Sequence, residues 1–213
     1  MIKKLLVVVL VLLTWSTPVL ASELTVTVTD SGSNEPVPDA VVYLDRIDTL
    51  TPVTAEIYQK DRAFHPTVLI VPVGSLVEFP NRDNTQHHVY SFSPAKTFNI
   101  ELYAGKPEAP ILFDKPGVVE LGCNIHDRMR AFIIVTDTNA IGRTDAEGRI
   151  TLATSAETGP LTVNIWHQRL PDNTRPVERK LDNLVAQTLT IDLAPKPETD
   201  DAINLLQQRF REL

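Results

Sequence analysis

The sequence predicts an all-β protein built from β-sandwiches. Residues 24–29 read Leu-Thr-Val-Thr-Val-Thr, which alternates apolar and polar side chains at a period of two and is typical of a half-buried strand. Similar short runs, rich in β-branched and aromatic residues, recur along most of the chain and are separated by turn-forming Gly, Pro, Asn and Asp. Short strands at this spacing favour a sandwich over a helical or mixed fold.

The strands follow in order from these patterns. Residues 24–29 and 40–44 form the first two, and residues 45–54 show no clear pattern. A denser set follows, with turns at Val73-Gly74 and Lys115-Pro116-Gly117. We expect its strands at residues 55–58, 67–71, 75–79, 87–92, 97–102, 111–113, 118–121 and 131–136.

Beyond residue 137 the strands are sparser. A turn at 144–149 leads into a strand from Ile150, and residues 161–166 and 184–193 predict two more. Within residues 196–213 the period changes, because four apolar residues fall on one helical face: Ile203, Leu206, Phe210 and Leu213. We therefore expect a short C-terminal helix there.

The N-terminus predicts export to the periplasm. A basic start precedes an unbroken apolar run from Leu5 to Leu13, and Val19-Leu20-Ala21 suits a cleavage site, so residues 1–21 have the form of a secretory signal peptide. The apolar run is too short to span a bilayer comfortably. We expect no membrane insertion once the signal peptide is removed.

The charge of the chain limits its partners. The formal net charge is −7, and removing residues 1–21 takes away two lysines and no acid, which leaves −9. This acidity argues against nucleic acid or an anionic membrane as the partner.

The segment from Cys123 to Met129 carries the chemistry. It places a thiolate, the imidazole of His126 and a thioether within seven residues, and Cys123 is the only cysteine of the chain. Upstream, His87 and His88 offer a second imidazole; neighbours on a strand point to opposite faces, so only one of the two should reach a metal. Two histidines, one cysteine and a weak axial methionine form the ligand set of a blue-copper electron-transfer site. The alternative is a buried, inert cysteine.

Residues 55–136 resemble the cupredoxins. The spacing Cys-x-x-His-x-x-Met is that of amicyanin, and the run Asn81-Arg82-Asp83-Asn84-Thr85-Gln86-His87 is similar to the one before amicyanin's first ligand. His-His-Val-Tyr-Ser-Phe-Ser-Pro at 87–94 and Gly-Cys-Asn-Ile-His-Asp at 122–127 look like periplasmic plastocyanin-like proteins often labelled methylamine-utilisation proteins. The resemblance implies a Greek-key β-sandwich that binds copper, cycling between Cu(I) and Cu(II), and exchanges electrons with redox partner proteins.

The resemblance also implies the roles of single residues. It makes His87, Cys123, His126 and Met129 the copper ligands. Asn81 resembles the residue that ties the histidine loop to the backbone beside the cysteine, and His88 and Asn124 would lie next to the ligands. Gly122 departs from the family, which has a larger residue there, so the site could be more open.

A second resemblance concerns the rest of the chain. Residues 137–195, through Thr-Asp-Ala-Glu-Gly-Arg at 144–149, look like the carboxypeptidase-regulatory or transthyretin-like β-sandwich, and residues 24–44 look like its opening strands. We expect a signal peptide at 1–21, N-terminal strands at 22–54, a cupredoxin domain at 55–136, the second sandwich at 137–195 and the helix at 196–213. The cupredoxin part could be inserted into the second sandwich.

Three functions remain open from the residues. The first is a one-electron carrier that is not an enzyme. The second is a periplasmic protein that binds or delivers copper, and the third is a structural zinc site in which Met129 only packs. A cysteine–histidine hydrolase is set aside, since no nucleophile elbow or oxyanion-hole motif accompanies Cys123.

Overall fold

The computed structural model describes residues 22–154 and 160–196, and within them the chain forms 17 strands and no helix. The predicted all-β class is therefore confirmed. The predicted signal peptide and all but the first residue of the predicted C-terminal helix lie outside the described residues. Residues 22–154 and 160–196 contain no helix that could cross a membrane.

The strands are short and follow one another closely. Their bounds are β1 Ser22–Asp30, β2 Val41–Leu44, β3 Thr54–Glu56, β4 Tyr58–Lys60, β5 Ala63–His65, β6 Val68–Pro72, β7 Ser75–Glu78, β8 His87–Ser93, β9 Lys96–Tyr103, β10 Ile111–Phe113, β11 Gly117–Gly122, β12 Arg130–Thr136, β13 Ile141–Arg143, β14 Arg149–Thr154, β15 Leu161–Trp166, β16 Val177–Leu181 and β17 Gln187–Ile191.

Strands β3 to β12 build the first sandwich. A five-stranded sheet in the order β6-β12-β11-β8-β9 faces a three-stranded sheet in the order β10-β7-β3, and β4 and β5 form a separate hairpin. Apolar side chains from both sheets meet between them, among them Val77, Phe113, Val119 and Ile133. This core holds β8, β11 and β12 in fixed register.

The remaining strands build the second sandwich. Its sheets have the orders β14-β1-β17 and β13-β2-β15-β16, so β1 and β2 pair only with strands that follow β12 in the chain. This pairing supports the alternative in which residues 22–54 contribute to the second sandwich and the first is inserted into it. The boundaries at 55 and 136 stay a prediction.

The two sandwiches share a buried layer. Consecutive residues Val41 and Val42 on β2 are both buried, and so is every residue of β12 from Ala131 to Thr136. Since successive side chains of a strand point to opposite faces, both sheets are covered on both sides. Phe132 of β12 meets Trp166 of β15 edge to face, with ring centroids 4.9 Å apart. The second sandwich therefore packs on the outer face of the five-stranded sheet.

Three strands and one break were not predicted. The strand expected at 55–58 is divided, because β3 pairs with β7 while β4 pairs with β5. β5 and β13 have three residues each, too few to show a period. β16 reads Val-Glu-Arg-Lys-Leu and lies at the edge of its sheet, where charged side chains reach solvent.

Candidate metal centre

Three strands bring the predicted ligands together. β11 and β12 are antiparallel neighbours whose ends pair Gly122 with Arg130, so the loop between them closes at one end of the sheet. β8 lies on the other side of β11, with Tyr90 opposite Gly122. Because these strands run antiparallel, the start of β8 at His87 lies at the same end of the sheet as the loop. A strand and a loop distant in sequence thus converge at one place.

The side chains of His87, Cys123 and His126 form one cluster. Their ligand atoms all lie within 4.8 Å of one another, and the Cys123 sulfur is 4.0 Å from Nδ1 of His87 and 3.9 Å from Nδ1 of His126. With metal–sulfur and metal–nitrogen bonds of about 2.3 and 2.0 Å, donors 120° apart around one ion are separated by about 3.7 Å. The cluster can therefore hold a single metal ion.

Met129 closes the loop beside this cluster. It is 1% exposed, and its backbone N–H donates to the carbonyl of His126 at 2.9 Å. Its side chain packs in the same core cluster as Cys123. A thioether held in this way suits the axial position that the sequence predicts, and that assignment stays a prediction.

The structure separates the two adjacent histidines. His87 is fully buried and belongs to the cluster, with its ring 5.0 Å from that of His126. His88 is outside the cluster; its ring lies against Tyr90 at a centroid distance of 5.4 Å, and its buried Nδ1 has no partner among the described residues. The alternation along β8 that the sequence predicts thus places one histidine on each face.

The carboxylate of Asp83, whose role the sequence pattern does not reveal, contacts His87. Asp83 accepts a hydrogen bond from Nε2 of His87 at 2.7 Å and two more from the backbone N–H groups of Asp61 and Arg62. Desolvation would raise the pKa of Asp83, but the N–H of Arg62, the His87 ring and the N–H of Asp61 outweigh it and lower that pKa to about 2. The sequence signal is an acid four residues before the histidine.

Asn81 ties the histidine loop to a different partner from the one expected. Its side-chain amide donates to the carbonyls of Thr85 at 2.8 Å and Tyr103 at 3.0 Å, and its oxygen accepts from the N–H of Asp83 at 2.9 Å. It therefore joins the loop to β9 and not to the backbone beside Cys123, since β9 is the neighbour that runs past this loop. Asn124 is exposed and makes no side-chain hydrogen bond within the described residues.

The space beside Gly122 is filled by an aromatic ring. A Cβ on Gly122 would lie 2.6 Å from Cζ of Tyr90, closer than real Cβ contacts allow. The glycine thus admits the Tyr90 ring against the backbone next to Cys123, which replaces the larger side chain expected from the resemblance. An open cavity of about 500 Å³ is nevertheless lined by Tyr90, Phe92, Gly122, Cys123 and Met129, and Thr174 of the second sandwich borders it.

The comparisons with known proteins give solved structures only. No family model and no curated protein matches the chain. It is similar to a copper-containing nitrite reductase from Thermus scotoductus SA-01 (27% identity, 42% of this chain and 24% of the other, TM-score 0.38). It is also similar to a purple cupredoxin from Nitrosopumilus maritimus (22%, 38% and 99%, TM-score 0.34) and to a mutant of amicyanin in its reduced form (15%, 45% and 98%, TM-score 0.36).

These likenesses cover less than half of the chain, and the matched part spans about a quarter of the nitrite reductase. With TM-scores below 0.4, they add no argument about the site. The cupredoxin-like fold rests on the strand arrangement described above. In this arrangement His87 begins β8, which pairs with β11. Cys123 and His126 lie in the loop between β11 and β12, the last two strands of the first sandwich.

Proposed function

We propose that this chain is a periplasmic type 1 copper protein that carries one electron, with His87, Cys123, His126 and Met129 as ligands. The convergence of two imidazole nitrogens and one thiolate sulfur within 4.8 Å carries the proposal. One thiolate, two imidazoles and a weak thioether are the donor set of blue copper. Copper bound there would supply the change between Cu(I) and Cu(II) by which such proteins carry an electron.

The surroundings of the cluster suit electron transfer. His87, Cys123 and Met129 are buried in the core of a sandwich, so the donor atoms are held by packing and need to move little when the charge changes. His126 is half-buried and follows Ile125, whose side chain is 47% exposed. The electron would leave through the His126 ring, the ligand nearest to solvent, and a redox partner protein would dock on the surface around the exposed Ile125.

The charges near this exit are partly neutralised. Arg128 is exposed, whereas Arg130 donates through Nε to the Glu120 carboxylate at 2.7 Å. Such an exposed pair contributes little to stability, but it offsets the charge of Arg130. Arg128 is therefore the cation most available to an acidic partner.

The direct test is the spectrum of the purified chain after addition of Cu(II). We expect a strong visible absorption band from thiolate-to-copper charge transfer and a narrow hyperfine splitting in electron paramagnetic resonance. A colourless protein that still binds copper would favour copper binding or delivery. Tight binding of zinc with no coloured copper form would favour the structural zinc site.

Replacing Met129 by Leu separates the copper carrier from the zinc site. The swap nearly conserves volume in a buried position. It removes a donor that stabilises Cu(II), so we expect the reduction potential to rise, on the order of 60 mV for a tenfold change in the ratio of Cu(II) to Cu(I) affinity. Voltammetry measures this shift, and titration with Zn(II) should give a nearly unchanged affinity. Ile133→Leu, a buried swap in the same core, is the matched control; equal potentials in both variants would remove Met129 from the ligand set.

A further inference from the structure

The contact between Asp83 and His87 has a chemical consequence for the cluster. Three donors converge on the Asp83 carboxylate: Nε2 of His87 at 2.7 Å, the N–H of Asp61 at 2.7 Å and the N–H of Arg62 at 3.0 Å. A carboxylate that receives three hydrogen bonds acts as an acceptor, so Nε2 of His87 must carry the ring proton. In the neutral ring, Nδ1 then has the free lone pair, and Nδ1 is the nitrogen that faces the Cys123 sulfur.

The carboxylate is itself held in place. Asp61 and Arg62 form the two-residue turn between β4 and β5, and both have positive φ, 55° and 57°. This left-handed geometry is unfavourable for residues with side chains, and it aims two successive N–H groups at one point. The Asp83 carboxylate lies at that point and accepts both hydrogen bonds. The backbone N–H of Asp83 in turn donates to the side-chain oxygen of Asn81. The carboxylate therefore cannot turn away from His87 without breaking both hydrogen bonds to the turn.

We propose that Asp83 is a positioning residue of the metal centre, which selects the His87 tautomer, fixes the ring orientation and thereby directs the Nδ1 lone pair at the cluster. The proposal rests on the function proposed above in naming the metal as copper, although the tautomer and its consequence for any divalent ion do not depend on it. A histidine that donates to a carboxylate is a stronger ligand, and it favours the more highly charged metal state. Asp83 thereby links the β4–β5 turn to the reduction potential of the site.

The first experiment uses the metal-free chain. Nitrogen NMR of the ¹⁵N-histidine-labelled protein near neutral pH reports which ring nitrogen of His87 carries the proton. We expect Nε2–H in the wild-type chain and a mixture of tautomers in Asp83→Asn, whose side chain has one acceptor oxygen in place of two. A wild-type His87 that carries its proton on Nδ1 would overturn the proposal. Because this measurement needs only the wild-type chain, it tests the proposal even if the variant does not fold.

The second experiment measures the metal. For Asp83→Asn we expect the affinity for Zn(II) and for Cu(II) to fall by about 10- to 100-fold. If Cu(I) affinity is unchanged, the reduction potential rises by about 59 mV for each tenfold loss in Cu(II) affinity. The matched control is Asp114→Asn, which removes an exposed carboxylate paired with Lys96, at the end of the β8–β9 hairpin opposite to His87. It should leave the His87 tautomer, both affinities and the potential unchanged.

The outcomes for Asp83 and for the proposed function are separable. A chain that binds Zn(II) through the cluster but shows no type 1 copper spectrum would remove the electron-carrier function, while the tautomer and the Zn(II) affinity would still test Asp83. A type 1 spectrum with the same tautomer, affinities and potential in Asp83→Asn and the wild-type chain would leave the function standing and refute the role of Asp83.

Discussion

Replacing Cys123 by Ser is expected to abolish the visible absorption band of the copper-loaded chain completely. The band requires a thiolate, and a serine hydroxyl is neither ionised near neutral pH nor a soft sulfur donor. Cys123 is 4% exposed, its side chain packs in the core of the first sandwich, and serine is close to it in volume, so the sandwich should still form. Visible absorption gives the result, and far-ultraviolet circular dichroism, unchanged from the wild-type chain, verifies the fold. A coloured Cys123→Ser protein would exclude Cys123 as the ligand.

The adjacent histidines provide a matched pair for the same test. His87→Gln removes an imidazole whose Nδ1 is 4.0 Å from the Cys123 sulfur, so it should also eliminate the band. His88→Gln changes the neighbouring ring, which lies against Tyr90 and outside the cluster, so it should leave the band in place. The reverse pattern would show that the ligand comes from the other face of β8. Equal loss in both variants would indicate damage to the strand rather than loss of a ligand.

The local part of the site could be predicted from the sequence. Cys123, His126 and Met129 lie in a single loop, so their spacing alone brings them together. His87 lies 36 residues before Cys123, and the alternation along its strand separates it from His88. Asp83 is different, because its position depends on backbone N–H groups of a turn 21 and 22 residues upstream. Side-chain patterns carry no information about a partner that is a backbone amide.

The same contrast holds for the fold. Strands with a clear period of two, such as β1 and β15, could be predicted, whereas β16 carries three charged residues between its two apolar ends. In the sequence, the packing of the two sandwiches against each other is indicated only by consecutive apolar residues such as Val41 and Val42. Such a run is compatible with any strand buried on both faces, and it does not identify the layer that covers it.

Trp166→Ala is expected to lower the free energy of unfolding by about 3–5 kcal/mol, the range for truncating a large buried aromatic residue. Trp166 is 1% exposed, meets Phe132 of the first sandwich, and donates through its indole N–H to the carbonyl of Asn173 at 2.8 Å. Its core cluster combines residues of the second sandwich with Val68, Val118, Phe132 and Ile134 of the first. Truncation would therefore leave a cavity against both sandwiches and one carbonyl without its donor.

Because the two sandwiches share this cluster, we expect one cooperative transition in urea, and Trp166→Ala should move it as a whole to lower denaturant. Phe92→Ala is the matched control, since Phe92 is an aromatic residue that is 80% exposed, and its truncation should change stability by no more than about 0.5 kcal/mol.

The copper spectrum of folded Trp166→Ala should equal that of the wild-type chain, because Trp166 packs on the face of the five-stranded sheet opposite to the core that contains Cys123 and Met129. Two separate transitions in the wild-type chain would mean that the sandwiches fold independently and that the Phe132–Trp166 contact couples them only weakly.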